Sequence, residues 1–226
     1  MTWSDGDFQS VIRHTFSIIF DQGRISPCDR LLWCKDKDYY VTNALVFYVI
    51  LSKEKLLAEQ IDIEIDKLTN SIENRISGEV FDTEVVKIEP SQGKLIKKKD
   101  WGFDWKKELK EPARHVFKLS TVSNPSIIQG LISLEDNKDH ILMHLIENAQ
   151  FNRGRKKLYV GVPANLVAYA CKYSFDLGYE GYVGFIAKSK LIEHYKETLR
   201  AEVLYGSYMR IDTVSARYLI DRYFNK

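Results

Sequence analysis

The chain is short of the features that would commit it to several large protein classes. It has three cysteines, Cys28, Cys34 and Cys171, too few and too scattered for a disulfide framework or a thiolate metal site. A reduced, cytoplasmic protein without a metal is the expectation. Its longest unbroken apolar run, Ala44–Leu51, is too short to span a bilayer. The N-terminal MTWSDGDFQ is acidic and lacks a basic region followed by an apolar core, so no signal peptide and no membrane association are expected. Charge of one sign is scarce as well. Lys and Arg number 33 against 31 Asp and Glu, and the net charge of +2 gives no global drive toward nucleic acid or an anionic membrane. With no readable surface of interleaved aromatic and basic residues, a specific nucleic-acid partner is not expected either. Any attraction to anions must be local.

What is present is ordinary for a folded domain: 45% hydrophobic and 28% charged residues over 226 positions. Two textures divide the chain. Residues 1–76 read as a mostly helical extension, with Phe8, Val11, Ile12, Phe16 and Ile19 forming a 3.6-period face over Asp7–Phe20. A longer amphipathic stretch runs from about Asn43 to Ile76. Within it the IDIEID run, residues 61–66, fits a two-residue alternation as well as a helix: isoleucine favours strand, and the length of the stretch favours helix.

Residues 77–226 carry strand signals. Val80–Glu89, His115–Val122, Ile127–Glu135 and His140–Glu147 have strand composition and are bounded by Gly, Pro, Asn and Asp. A helix from about Ala164 to Leu177 follows, with Leu166, Ala170, Tyr173 and Leu177 as its inner face and Val167, Cys171 and Ser174 beside it. Then come a strand over Tyr182–Ala187, a short helix over Lys190–Leu199, one or two strands over Ala201–Ile211, and a closing helix over Ala216–Phe224. A strand–helix–strand unit needs a right-handed crossover onto a parallel neighbour. The fold class is therefore α/β, a mixed sheet flanked by helices.

Chemistry concentrates between His140 and Ala201. Arg153, Arg155, Lys156 and Lys157 crowd the turn before Gly161, and a helix opens immediately after it. The first backbone N–H groups of a helix lack intrahelical partners, and its dipole is positive there, so the arrangement suits a phosphate-bearing ligand. A solvated basic loop is the plainer alternative. Pro163 sits in the first turn, where its missing N–H costs nothing.

Taken together, these pieces resemble the GCN5-related N-acetyltransferase (GNAT) superfamily over about residues 80–224. The family's pyrophosphate loop, R/Q-x-x-G-x-G/A, falls on L-Y-V-G-V-P across Leu158–Pro163, with Leu158 in place of Arg or Gln and Pro163 in place of the small residue. The resemblance implies a GNAT-like acyl-CoA N-acyltransferase fold. It also implies acetyl-CoA as acyl-donor cosubstrate, with its pantetheine arm between the strands His140–Glu147 and Tyr182–Ala187. The residues that would hold it are Arg155, Lys156, Lys157, Val160, Gly161, Val162, Ala164 and Asn165, with backbone N–H groups of Val162, Ala164 and Asn165 available to the phosphates.

The implied activity is acetyl transfer to an amine by direct attack in a ternary complex. Tyr195, in L-I-E-H-Y, matches the tyrosine that family members place near the thioester sulfur, and a phenol holds its proton at neutral pH. Glu147, ending the strand beside the cofactor, is the candidate base, because only a free amine has a nucleophilic lone pair. A solvent-facing strand-end carboxylate is its plain alternative, and a core tyrosine is that of Tyr195. Asn152 either closes the turn or lines the acceptor pocket. Trp101, Phe103 and Trp105 in WGFDW are packing residues or the wall of that pocket. The acceptor, a small molecule or a protein, is not readable, nor is the oligomeric state. The competing expectation is a catalytically inactive GNAT-fold binding or interaction protein.

Overall fold

The computed structural model describes residues 60–68 and 71–224. The expected helix over Asp7–Phe20, and the part of the next stretch before residue 60, lie outside the described residues. In chain order the described elements are β1 (Ile72–Asn74), β2 (Val80–Phe81), β3 (Thr83–Ile88), α1 (Trp105–Glu108), β4 (Arg114–Thr121), β5 (Gly130–Asp136) and β6 (Ile141–Asn148). They continue with β7 (Tyr159–Val160), α2 (Val162–Asp176), β8 (Val183–Ile186), α3 (Ile192–Leu199), β9 (Glu202–Tyr205), β10 (Tyr208–Ile211) and α4 (Thr213–Tyr223). Among the described residues no helix is long and apolar enough to cross a membrane.

Seven strands form one sheet in the order β3-β4-β5-β6-β8-β10-β9. Pairing is antiparallel everywhere except between β6 and β8, which the α2 crossover makes parallel. A smaller antiparallel sheet, β2-β1-β7, lies beside it. One face of the large sheet is covered by α2 and α4, whose Leu166, Val167, Ala170, Cys171, Ala216 and Leu219 meet sheet residues such as Phe117, Ile132, Met143 and Phe185. Leu166 and Ala170 of the expected inner face of α2 are buried, with Val167, Cys171 and Ser174 beside them, whereas Leu177 at its end is 39% exposed. The other face is covered by the β3–β4 connection, through Ile96, Trp101, Trp105 and Leu109 against Val116, Leu131 and Leu145.

Two departures from regularity position the site. In the β5–β6 ladder Leu134 faces Met143 and Ser133 faces Leu145, so His144 is an extra, bulged residue. A bulge bends its strand. The parallel pairing of β6 with β8 accordingly ends at Met143–Phe185, and the two strands then diverge. The second departure is the 61–66 run. It is extended rather than helical, with Ile61 and Ile65 buried and Asp62 and Glu64 exposed. Alternation and helical period were both compatible with its sequence. An open edge of β8 decides the matter, because a β-branched segment gains a backbone partner and two buried side chains by lying along it.

Candidate functional site

The N-terminus of α2 is built as a cradle for an anion. Gly161 caps the helix with φ of +90°, a left-handed conformation that a side chain would strain. Pro163 is the second helical residue, in the turn that needs no N–H from it. The Gly161 N–H donates to Asp66 Oδ1 at 2.9 Å, and Lys157 Nζ donates to Asp66 Oδ2 at 2.8 Å. A carboxylate from elsewhere in the chain thus sits at the positive end of the helix dipole, paired with a cation. The Asn165 N–H, expected to be available to a phosphate, is instead used inside the helix. It donates to Gly161 O at 3.0 Å. The Asn165 side chain is buried and turned toward Thr83.

From this cradle a gap runs back between β6 and β8. Residues 61–66 lie in it. Ala187 N–H donates to Ser207 O on the β10 side, so the groups that meet Ile61 lie on the opposite edge of β8, the edge β6 has just left. There Ile61 N–H donates to Ile186 O at 2.6 Å and accepts at its carbonyl from Lys188 N–H at 3.0 Å, a single parallel bridge to Ala187. This segment, a strap across the gap, then passes α3. Tyr195 Oη donates to Ile63 O at 2.7 Å and accepts from Ile63 N–H at 3.3 Å, and the Ile65 N–H donates to His194 Nε2 at 2.8 Å. Asp62 pairs with Lys188 and Lys190 outside the gap. Tyr195 is 1% exposed, edge-on to Phe185 at 5.4 Å, and burial pushes its phenol well above the usual tyrosine range. The proton therefore stays on oxygen.

The carboxylate of Glu147 is committed elsewhere. It is 4% exposed and accepts from Gly102 N–H at 2.6 Å, Trp105 Nε1–H at 2.6 Å and Phe103 N–H at 3.4 Å, and it pairs with Arg153. Four donors thus hold it against the Trp101–Trp105 loop. Trp101 and Trp105 are correspondingly buried, edge to face at 6.2 Å, with Phe103 at the surface. Asn152 closes the turn, its Nδ2 donating to Gln129 O and Oε1 at 3.1 and 2.9 Å.

Of the expected cofactor residues, Lys157, Gly161, Val162 and Ala164 gather at the cradle or in the first turn of α2. Val160 is engaged in β7, opposite Glu73, and Arg155 and Lys156 are exposed on the preceding loop. Sequence reasoning missed Asp66 and the strap. The only signal for them was the alternation of IDIEID.

Comparison with known proteins adds three similar solved structures. A chimera built on the spermidine N-acetyltransferase SpeG of Vibrio cholerae is 14% identical, with a TM-score of 0.40, covering 61% of this chain and 99% of that one. AtaTR bound with acetyl-CoA is 16% identical, with a TM-score of 0.40, covering 61% and 98%. An acyl-CoA N-acyltransferase from Pseudomonas aeruginosa is 11% identical, with a TM-score of 0.39, covering 57% and 99%. No family model and no curated protein matches the sequence. The strand order, the one parallel pair opened by a bulge and the glycine-capped crossover helix agree with the GNAT-like fold expected from the sequence. An intrachain carboxylate shows that the cradle takes an anion.

Proposed function

We propose that the chain is an acetyl-CoA-dependent N-acyltransferase acting on an amine. The observation that supports this reading is the gap between β6 and β8, which ends on an anion-binding helix N-terminus. Lys157 and the N–H groups of Gly161, Val162 and Ala164 would hold the diphosphate. The walls of the gap would exclude water from the acyl group. Acetyl-CoA supplies an activated thioester when bound. The free amine nitrogen would attack the thioester carbonyl; a C–N bond would form, the C–S bond would break, the departing sulfur would take the proton of Tyr195 Oη, and water would return a proton to the phenolate. The amine loses its own proton to water, because Glu147 is bound by its four donors and acts as a positioning residue.

A second reading, a GNAT-fold binding or interaction protein without turnover, is favoured by the strap itself, which occupies both the gap and the cradle. The two separate in a thermal-shift measurement, because a ligand that binds only the native state raises its melting temperature. Millimolar acetyl-CoA is expected to raise Tm, and an amine screen with thiol detection is expected to yield an acceptor. Tyr195→Phe should then lower kcat by about 100- to 10,000-fold, the range of one general acid, while the Tm shift persists. Absence of any shift favours the non-catalytic reading.

A further inference from the structure

We propose that residues 61–66 form an autoinhibitory strap, a removable stand-in for the acyl donor that must leave the β6–β8 gap before acetyl-CoA can enter. This inference rests on the acyl-donor site proposed above. The strap's course follows the ligand-shaped path from end to end. Its backbone fills the opening that the His144 bulge creates, and its Asp66 carboxylate takes the Gly161 N–H and the Lys157 ammonium. It also engages the Tyr195 hydroxyl, the group assigned to protonate the leaving sulfur. One segment therefore blocks the arm, the phosphate cradle and the acid together.

The way it is held suits detachment. Among the described residues, the strap makes one backbone bridge to the sheet, at Ile61. Beyond that bridge its hydrogen bonds are to side chains or to the cradle, Tyr195 to Ile63, His194 to the Ile65 amide, and Lys157 and the Gly161 N–H to Asp66, while Ile61 and Ile65 anchor it by burial. A permanent strand would carry a backbone ladder instead. Its outer ties, Asp62 with Lys188 and Lys190, are exposed ion pairs and hold weakly. The cradle that binds one carboxylate has a stronger claim on a diphosphate, and Arg155 and Lys156 stand exposed on the adjoining loop. Acetyl-CoA and the strap thus compete for the same donors, and the affinity observed is the intrinsic one reduced by the fraction of molecules with the strap open.

The test uses the full chain and acetyl-CoA, with calorimetric Kd and hydrogen exchange read on wild type, Asp66→Asn and Asp62→Asn. Asp62 is exposed, so the second variant keeps the test alive if the first disturbs folding. If the strap is open in about a tenth of molecules, freeing it strengthens binding by up to about tenfold. Saturating ligand should also expose the amides of Ile63 and Ile65 while protecting those of Val162 and Ala164. Equal Kd in all three proteins, with the Ile63 and Ile65 amides protected throughout, would overturn the strap and leave the acyl-donor site standing. If Asp66→Asn exposes those amides without ligand and still binds no acetyl-CoA, both the strap and the acyl-donor reading fall.

Discussion

Glu147 shows how a residue's neighbours set its role. At the end of a strand beside a cleft, a carboxylate has the position of a base. Three N–H donors from one loop and a guanidinium convert it into the peg on which Trp101–Trp105 hangs. Charge-assisted bonds of this kind are stronger than neutral ones, and removing one partner leaves buried donors unmet. Glu147→Gln keeps the shape but loses the charge. It is expected to destabilise the protein by about 2 kcal/mol, discounted because Arg153 remains partly solvated. Urea denaturation followed by tryptophan fluorescence reads this directly, since the loop carries two of the four tryptophans. A drop in turnover with unchanged stability would instead return Glu147 to the role of base.

At the scale of elements, α2 matters most, because its first turn is both a packing surface and the cradle. Gly130 on β5 lets that turn lie close. A Cβ there would stand 2.8 Å from Val162 Cγ1, 3.0 Å from Leu166 Cδ1 and 3.2 Å from the Glu147 carbonyl. Gly130→Ala must therefore push the helix start away from the sheet, at a cost of about 1–3 kcal/mol for overpacking. The expected result is a lower urea midpoint together with a smaller acetyl-CoA-induced Tm shift, because the displaced turn carries the donors. A loss of stability with an undiminished ligand shift would show that the cradle is independent of this contact.

For the molecule as a whole, the bulged His144 links folding to pH. Its ring is 1% exposed, with Nε2 on Glu135 at 2.5 Å and Nδ1 without a hydrogen-bond partner among the described residues. Burial holds its pKa below the ordinary histidine range, with Arg114 acting in the same direction, and outweighs Glu135 and Glu108, which pull the other way. The unfolded chain takes up a proton as pH falls through about 6.5, whereas the native ring resists it. The stability contributed by neutral His144 is thus full above that pH and is lost as pH falls toward the lowered native value. Denaturation midpoints measured from pH 7.5 to 5 should decline, and His144→Gln should flatten the decline. An equal decline in the variant would assign it to other groups.

Much of this architecture was legible in the chain. Alternation and turn residues place the strands from Val80 to Asn148 and from Val183 to Ile211 to within a few residues, and Gly161 with Pro163 marks the start of α2, because local sterics and backbone hydrogen bonding act over neighbouring positions. The sequence by itself thus determined the order of the large sheet's strands along the chain, the parallel crossover and the glycine turn that opens α2, but not β1, which lies in the stretch read as helical, nor β7. Only tertiary structure decided what fills that turn. Asp66 lies 95 residues from Gly161, and Ile63 lies 132 residues from Tyr195. The 61–66 run satisfied two periodicities until the bulge at His144 opened an edge of β8 for it. Contacts over such separations depend on where strands diverge in space, and no local pattern carries that information.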